Sequence, residues 1–142
     1  MNRLMDKLFF VRRVTLFAQL DDSAQNEIAE LAESATFTKG DWIFQQGQTG
    51  DAIYMLIRGQ VALIRDGQEF KSLREGSSFG EMAVLDSGVR SAGARAASDC
   101  HVLRIRKHHF ESIWELWPSL RLGILRQLVL LFQKDFAGSD RK

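Results

Sequence analysis

Residues 36–68 read TFTKGDWIFQQGQTGDAIYMLIRGQVALIRDGQ, and this stretch decides the fold. Short apolar runs (Trp42–Phe44, Ile53–Ile57, Val61–Ile64) alternate with glycines at 40, 47, 50, 59 and 67. Further glycines fall at 76, 80, 88 and 93 before another run, Val102–Ile105. Strand-forming runs broken by turn residues at roughly 8–12-residue spacing indicate an antiparallel sandwich or barrel. Two turns are legible. Arg58-Gly59-Gln60 joins two runs tightly, and Arg65-Asp66-Gly67-Gln68 carries the Asp-Gly pair of a two-residue hairpin.

On both sides the period becomes helical. Leu4, Leu8 and Val11 share one face of a first helix, Phe17 and Leu20 plug the connection, and Asp22 or Ser23 caps a second helix through Glu27, Ile28 and Leu31. After Lys107, Phe110, Ile113, Trp114 and Trp117 give an apolar helix face to lay on the barrel. Pro118 then suits the first turn of a new helix through Leu120, Ile124, Leu125 and Leu128. The expected fold is mainly β with flanking helices. Its organisation is an N-terminal helical segment (1–35), a β jelly roll (36–107), C-terminal hinge and lid helices (108–135) and a tail (136–142).

The 142 residues are one domain by size. With 19 basic against 18 acidic residues, no charge footprint for wrapping nucleic acid appears. The sole cysteine, Cys100, cannot form an internal disulfide, and a reducing, cytoplasmic setting suits it. No apolar run approaches the ~20 residues that span a bilayer, and Leu8–Val11 is too short for a signal-peptide core. His101, His108 and His109 have no cysteine or carboxylate at ligand spacing and read as solvated surface, so no metal is expected. Arg12-Arg13 and Arg104-Arg106-Lys107 read as solvated faces. There is no Gly-x-Ser-x-Gly elbow, Walker loop or carboxylate pair, and no catalysis is expected.

Chemistry concentrates in residues 79–92, FGEMAVLDSGVRSA. Gly80 permits close backbone approach, and Glu81-Met82-Ala83 can begin a helical turn whose free N–H groups favour an anion. Arg90 adds a planar fork suited to phosphate oxygens, and Ser91 a hydroxyl donor. An inward-facing arginine needs an anion, while Glu81 repels one and fits a sugar hydroxyl instead. Phosphate and ribose hydroxyl at short range describe a cyclic nucleotide. An alternative is a surface ion pair between Glu81 and Arg90, worth little.

This stretch resembles the phosphate-binding cassette of cyclic nucleotide-binding domains, the family of catabolite-activator regulators, cyclic-nucleotide-gated channels and protein kinase regulatory subunits. Lys39-Gly40-Asp41, Gly47-Gln48-Thr49-Gly50-Asp51 and Gly59-Gln60-Val61 match the family's glycine framework, so the resemblance covers about residues 14–117. It implies that Glu81 takes the ribose 2′-hydroxyl and Arg90 the cyclic phosphate, with Ser91, Ala92, Ala83 and Gly80 completing the cradle. Val61, Leu63, Phe79 and Met82 would wall the base or sugar. Arg90 is expected to line a wet pocket, so that its removal would spare the fold. Val89 stands where the family usually has proline, and Gly93 where a β-branched or aromatic residue is common, which loosens the strand start.

The implied function is a sensor: cAMP or cGMP binds and the helix beginning at Pro118 swings over the base. No cofactor is expected besides the ligand, and cAMP is favoured because no guanine-specific partner other than Ser91 is evident. The surplus apolar residues Leu125, Leu128, Val129, Leu131 and Phe132 suit a lid, a homodimer contact or a fused effector. With the chain ending at Lys142, DNA binding by it is not expected. Two rivals stand beside this reading: a degenerate domain serving as an interaction module without ligand, and the sensor part of a transcription regulator lacking its helix-turn-helix.

Overall fold

The computed structural model describes residues 3–85 and 88–140, with Leu85, Ser119, Leu131, Phe132 and 134–140 by backbone alone. Two helices, α1 (Leu4–Val11) and α2 (Asp22–Leu31), precede β1 (Glu33–Phe37), β2 (Trp42–Phe44), β3 (Ala52–Arg58), β4 (Val61–Arg65), β5 (Gln68–Leu73) and β6 (Ser78–Phe79). A short helix α3 (Glu81–Leu85) follows, then β7 (Gly93–Ala96), β8 (Cys100–Arg106), α4 (Lys107–Leu116) and α5 (Pro118–Asp140). The strands form two four-stranded antiparallel sheets, ordered β1-β8-β3-β6 and β2-β7-β4-β5. This is the jelly roll expected from the sequence, although the two sheets do not close into one hydrogen-bonded barrel among the described residues.

Strand β3 shows why the core is double. Its side chains alternate in direction, yet Ala52 through Ile57 are all buried. Ala52, Tyr54 and Leu56 face the second sheet and pack with Val61, Leu73, Phe79 and Ala94. Ile53, Met55 and Ile57 face the helices and pack with Phe17, Ile28, Phe110, Ile113, Leu120 and Ile124. A strand covered on both faces reads as a continuous apolar run, which is what IYMLI is.

The turns follow their sequences. Asp66 (φ 53°) and Gly67 (φ 79°) both adopt positive φ, the signature of a two-residue hairpin turn, and Arg65 pairs Gln68 across it. Gly59 (φ 101°) turns the chain from one sheet to the other, and a Cβ there would overlap the Asp99 carbonyl.

Several boundaries differ from the sequence reading. Strand β1 begins at Glu33, because its pairing with β8 extends to Arg104 and the Glu33 carboxylate accepts from Arg106 Nε at 2.6 Å. The cap of α2 is Asp21, not Asp22 or Ser23: its carboxylate reaches the Ala24 N–H at 2.8 Å, three residues on. Helix α5 continues to Asp140, through most of the expected tail. His101 is half-buried rather than solvated, hydrogen-bonded to the Ser34 hydroxyl, and burial lowers its pKa. Gly93 has a packing role: a Cβ would come within 2.8 Å of the Trp42 ring, so the glycine makes room for that tryptophan.

Candidate functional site

The cassette is a loop whose ends are pinned by backbone bonds. Gly50 N–H donates to the Gly88 carbonyl at 2.7 Å, Arg90 N–H to Gln48 at 2.8 Å, and Gly47 N–H to Arg90 at 2.8 Å. Thr49 and Val89 bridge between the first two. These bonds hold the bend that a proline would otherwise preset, so Val89 leaves the loop defined. At the other end Gly80 (φ 81°) precedes α3, and a Cβ on it would press against the Arg90 guanidinium.

Arg90 is the centre of the arrangement, and it is not wet. It is 2% exposed. Nη1 donates to the Gly80 carbonyl at 2.6 Å and Nη2 to Ala52 at 2.7 Å. Asp51 Oδ1 lies 3.6 Å from Nη2, and Cζ sits 4.0 Å from the centre of the Phe44 ring. Arg90 therefore ties the cassette to the start of β3, which corrects the expectation that its removal would spare the fold. Burial lowers its pKa, and Tyr54, Asp51 and Glu81 oppose that shift. Arginine stays protonated in proteins regardless, so the site carries a buried cation. Its Nε is buried with no hydrogen-bond partner among the described residues. A buried charged donor with an open position suits an anion.

A cavity of about 200 Å³ opens beside it. Phe79, Gly80, Glu81, Met82, Ala83, Arg90, Ser91, Ala92 and Leu63 all line it, brought together from β4, β6, α3 and the strand-entry loop. Val61 does not: it is fully buried between the sheets, opposite Leu73 and Ala96. It shares a strand face with Leu63 but lies two residues, about 6.6 Å, deeper into the closed core. The sequence reading missed Phe44, Arg65, Phe70, Lys71, Leu73 and Ser78, which complete the lining. One signal could have found Phe70: it is the aromatic in an otherwise mostly polar edge strand, QEFKSL.

Asp51 also joins the cassette to the C-terminal helices. Its side chain faces Arg90, while its backbone carbonyl accepts from Lys107 N–H at 2.8 Å, where α4 begins. Helix α4 buries Phe110 and Ile113, and α5 buries Leu120, Ile124 and Leu128. Leu125, Val129 and Leu130 remain about half exposed, while the side chains of Leu131 and Phe132, expected to add to this surplus, lie outside the described residues.

A family model described as the cyclic nucleotide-binding domain matches residues 34–115. The chain belongs to that family. Among relatives of this cyclic nucleotide-binding domain, an NTE family protein of Mycobacterium tuberculosis is 30% identical over 126 residues, covering 88% of this chain and 22% of that one. A cAMP-dependent protein kinase regulatory subunit of Debaryomyces hansenii is 41% identical over 87 residues, covering 61% and 19%. The chain thus spans about a fifth of the length of these curated relatives. Among solved structures, the regulatory domain of Toxoplasma gondii PKA with cAMP superposes with a TM-score of 0.75 at 25% identity, covering 84% of this chain and 48% of that one. Among the described residues, no helix of this domain is long and apolar enough to cross a membrane, and no group of three metal-ligating side chains occurs.

Proposed function

We propose that this domain binds a purine 3′,5′-cyclic nucleotide in the cavity beside Arg90 and acts as a sensor without catalysis of its own. The observation that carries the reading is the buried Arg90, facing a cavity that also presents Glu81 and Ser91. Membership of the family and the cAMP named for the Toxoplasma structure support the ligand class. The phosphate sits against Arg90, Ser91, Ala92 and Gly80, and the ribose 2′-hydroxyl donates to Glu81. The sugar and base pack on Leu63, Phe79 and Met82. Calorimetric titration with cAMP, cGMP and the corresponding 5′-monophosphates tests this: cyclic forms bind and open forms bind much more weakly. No heat with either cyclic nucleotide would leave the degenerate interaction module as the better reading.

Glu81→Gln keeps an acceptor but loses charge assistance, so ribose recognition weakens by about 1.5 kcal/mol, roughly tenfold in Kd. The 2′-deoxy analogue is expected to bind the variant and the unmodified protein almost equally. A large residual difference would place Glu81 in another role.

Output runs through the C-terminal helices. Anion binding draws Arg90 from its bonds to Gly80 and Ala52, shifts Asp51, and loosens the start of α4, so that α5 repacks over the ligand. The ligand must favour this closed state, since equal affinity for both states moves nothing. The half-exposed Leu125 and Val129 are then covered by closure or by a second chain. Hydrogen exchange is expected to slow in residues 118–134 on ligand addition, more than in β3 and β4. Unchanged exchange in a protein that binds would exclude the lid and leave binding intact.

A further inference from the structure

The mouth of the cavity holds an arginine that the phosphate and ribose contacts do not use. Arg65 ends β4 and Phe70 lies in β5, on opposite arms of the hairpin turned by Asp66 and Gly67. Both line the cavity. The Arg65 guanidinium lies over the Phe70 ring, with Cζ 4.5 Å from its centre, and Nε donates to the Ser91 carbonyl at 3.2 Å. The ring contact and the hydrogen bond to the cassette hold the guanidinium at the edge of the site. The two terminal nitrogens have no hydrogen-bond partner among the described residues.

We infer that Arg65 reads the edge of the base and makes the domain prefer guanine to adenine. The inference rests on the proposed cyclic-nucleotide reading and deepens it. With the phosphate at Arg90 and Ser91 and the ribose at Glu81, the base packs on Leu63, Phe79 and Met82, and its outer edge reaches the lining formed by Leu73 and Phe70. It then extends toward the mouth, where Arg65 is hydrogen-bonded to the Ser91 carbonyl and Lys71 also lines the cavity. Guanine offers two adjacent acceptors, O6 and N7, which an arginine fork engages together. Adenine offers N7 beside an amino donor, which meets arginine donors unfavourably. A lysine would supply charge without the fork. The mouth is solvated, so the preference is at the low end for such a pair, about tenfold in Kd.

The test is calorimetric titration of the full chain, Arg65→Ala and Arg65→Lys with cGMP, cAMP and cyclic inosine monophosphate. The inosine compound keeps O6 and N7 but lacks the 2-amino group that Ser91 can meet. The unmodified protein is expected to bind cGMP and the inosine ligand about tenfold tighter than cAMP. In both variants this spread falls to within about twofold. Arg65 is exposed, so both variants are expected to melt like the unmodified protein, which melting curves check. Equal affinity for cAMP and cGMP, or a guanine preference that survives in Arg65→Ala, overturns the inference and leaves cyclic-nucleotide binding standing. A preference for cGMP that the inosine ligand does not share assigns selection to the 2-amino group and also overturns it. Binding of neither cyclic nucleotide by the unmodified protein removes the functional reading and the inference together.

Discussion

Arg90→Ala is expected to cost the protein both its ligand and part of its stability. The side chain is 2% exposed and donates to two backbone carbonyls, Gly80 in the cassette and Ala52 at the start of β3. Alanine leaves both without their donors, at about 1–3 kcal/mol each, so unfolding stability should fall by about 2–6 kcal/mol. Cyclic-nucleotide affinity should fall by about 2–5 kcal/mol, on the order of thirty- to several-thousand-fold, because the phosphate loses its buried counter-charge. Denaturant melts and calorimetry separate the two losses. Arg90→Lys is the companion: it restores charge but cannot span both carbonyls, so it regains more binding than stability. A variant with unchanged melting and unchanged affinity would show that Arg90 holds neither the cassette nor the ligand.

Gly50→Ala is expected to be nearly as damaging, through packing alone. A Cβ at Gly50 would overlap the Cβ of Ala83 in α3 and lie 3.4 Å from that residue's backbone, and the Gly50 N–H is already fixed to Gly88 at 2.7 Å. Neither side can retreat without breaking a backbone bond, so overpacking should cost about 3 kcal/mol. Affinity should fall as α3 is displaced. Ala83→Gly alone costs about 1 kcal/mol in helix propensity, yet it opens the space that Gly50→Ala needs. The double variant should therefore be more stable than Gly50→Ala by itself. Strict additivity of the two losses would exclude direct packing as their cause.

Most of the architecture was legible because local chemistry dictated it. Asp66-Gly67 takes positive φ at both positions, as an Asp-Gly hairpin requires, and Pro118 starts α5, where its missing N–H costs nothing. Residues 79–83 and 90–92 stand out in the sequence because glycine, arginine and carboxylate at fixed spacing serve few purposes together, and the structure brings them to one cavity. Misreadings occurred where a distant contact outvoted local character. Gly93 looked like a loose strand start until Trp42 was found above it. Val61 and Leu63 share one strand face and looked equivalent; depth along the strand separates them, and depth depends on the opposing sheet.

The sequence by itself determined the order of elements and the Asp66-Gly67 hairpin, since period and turn chemistry act over a few positions. Only the tertiary structure decided that Arg90 is a buried tie rather than a wet ligand hook. Its partners, Gly80 and Ala52, lie ten and thirty-eight residues away in sequence. Arg65 and Phe70 likewise become one element of the cavity mouth only when the hairpin folds beside Ser91. Burial, ion pairing and cavity lining are properties of long-range contacts, and no local pattern encodes which side chains will meet.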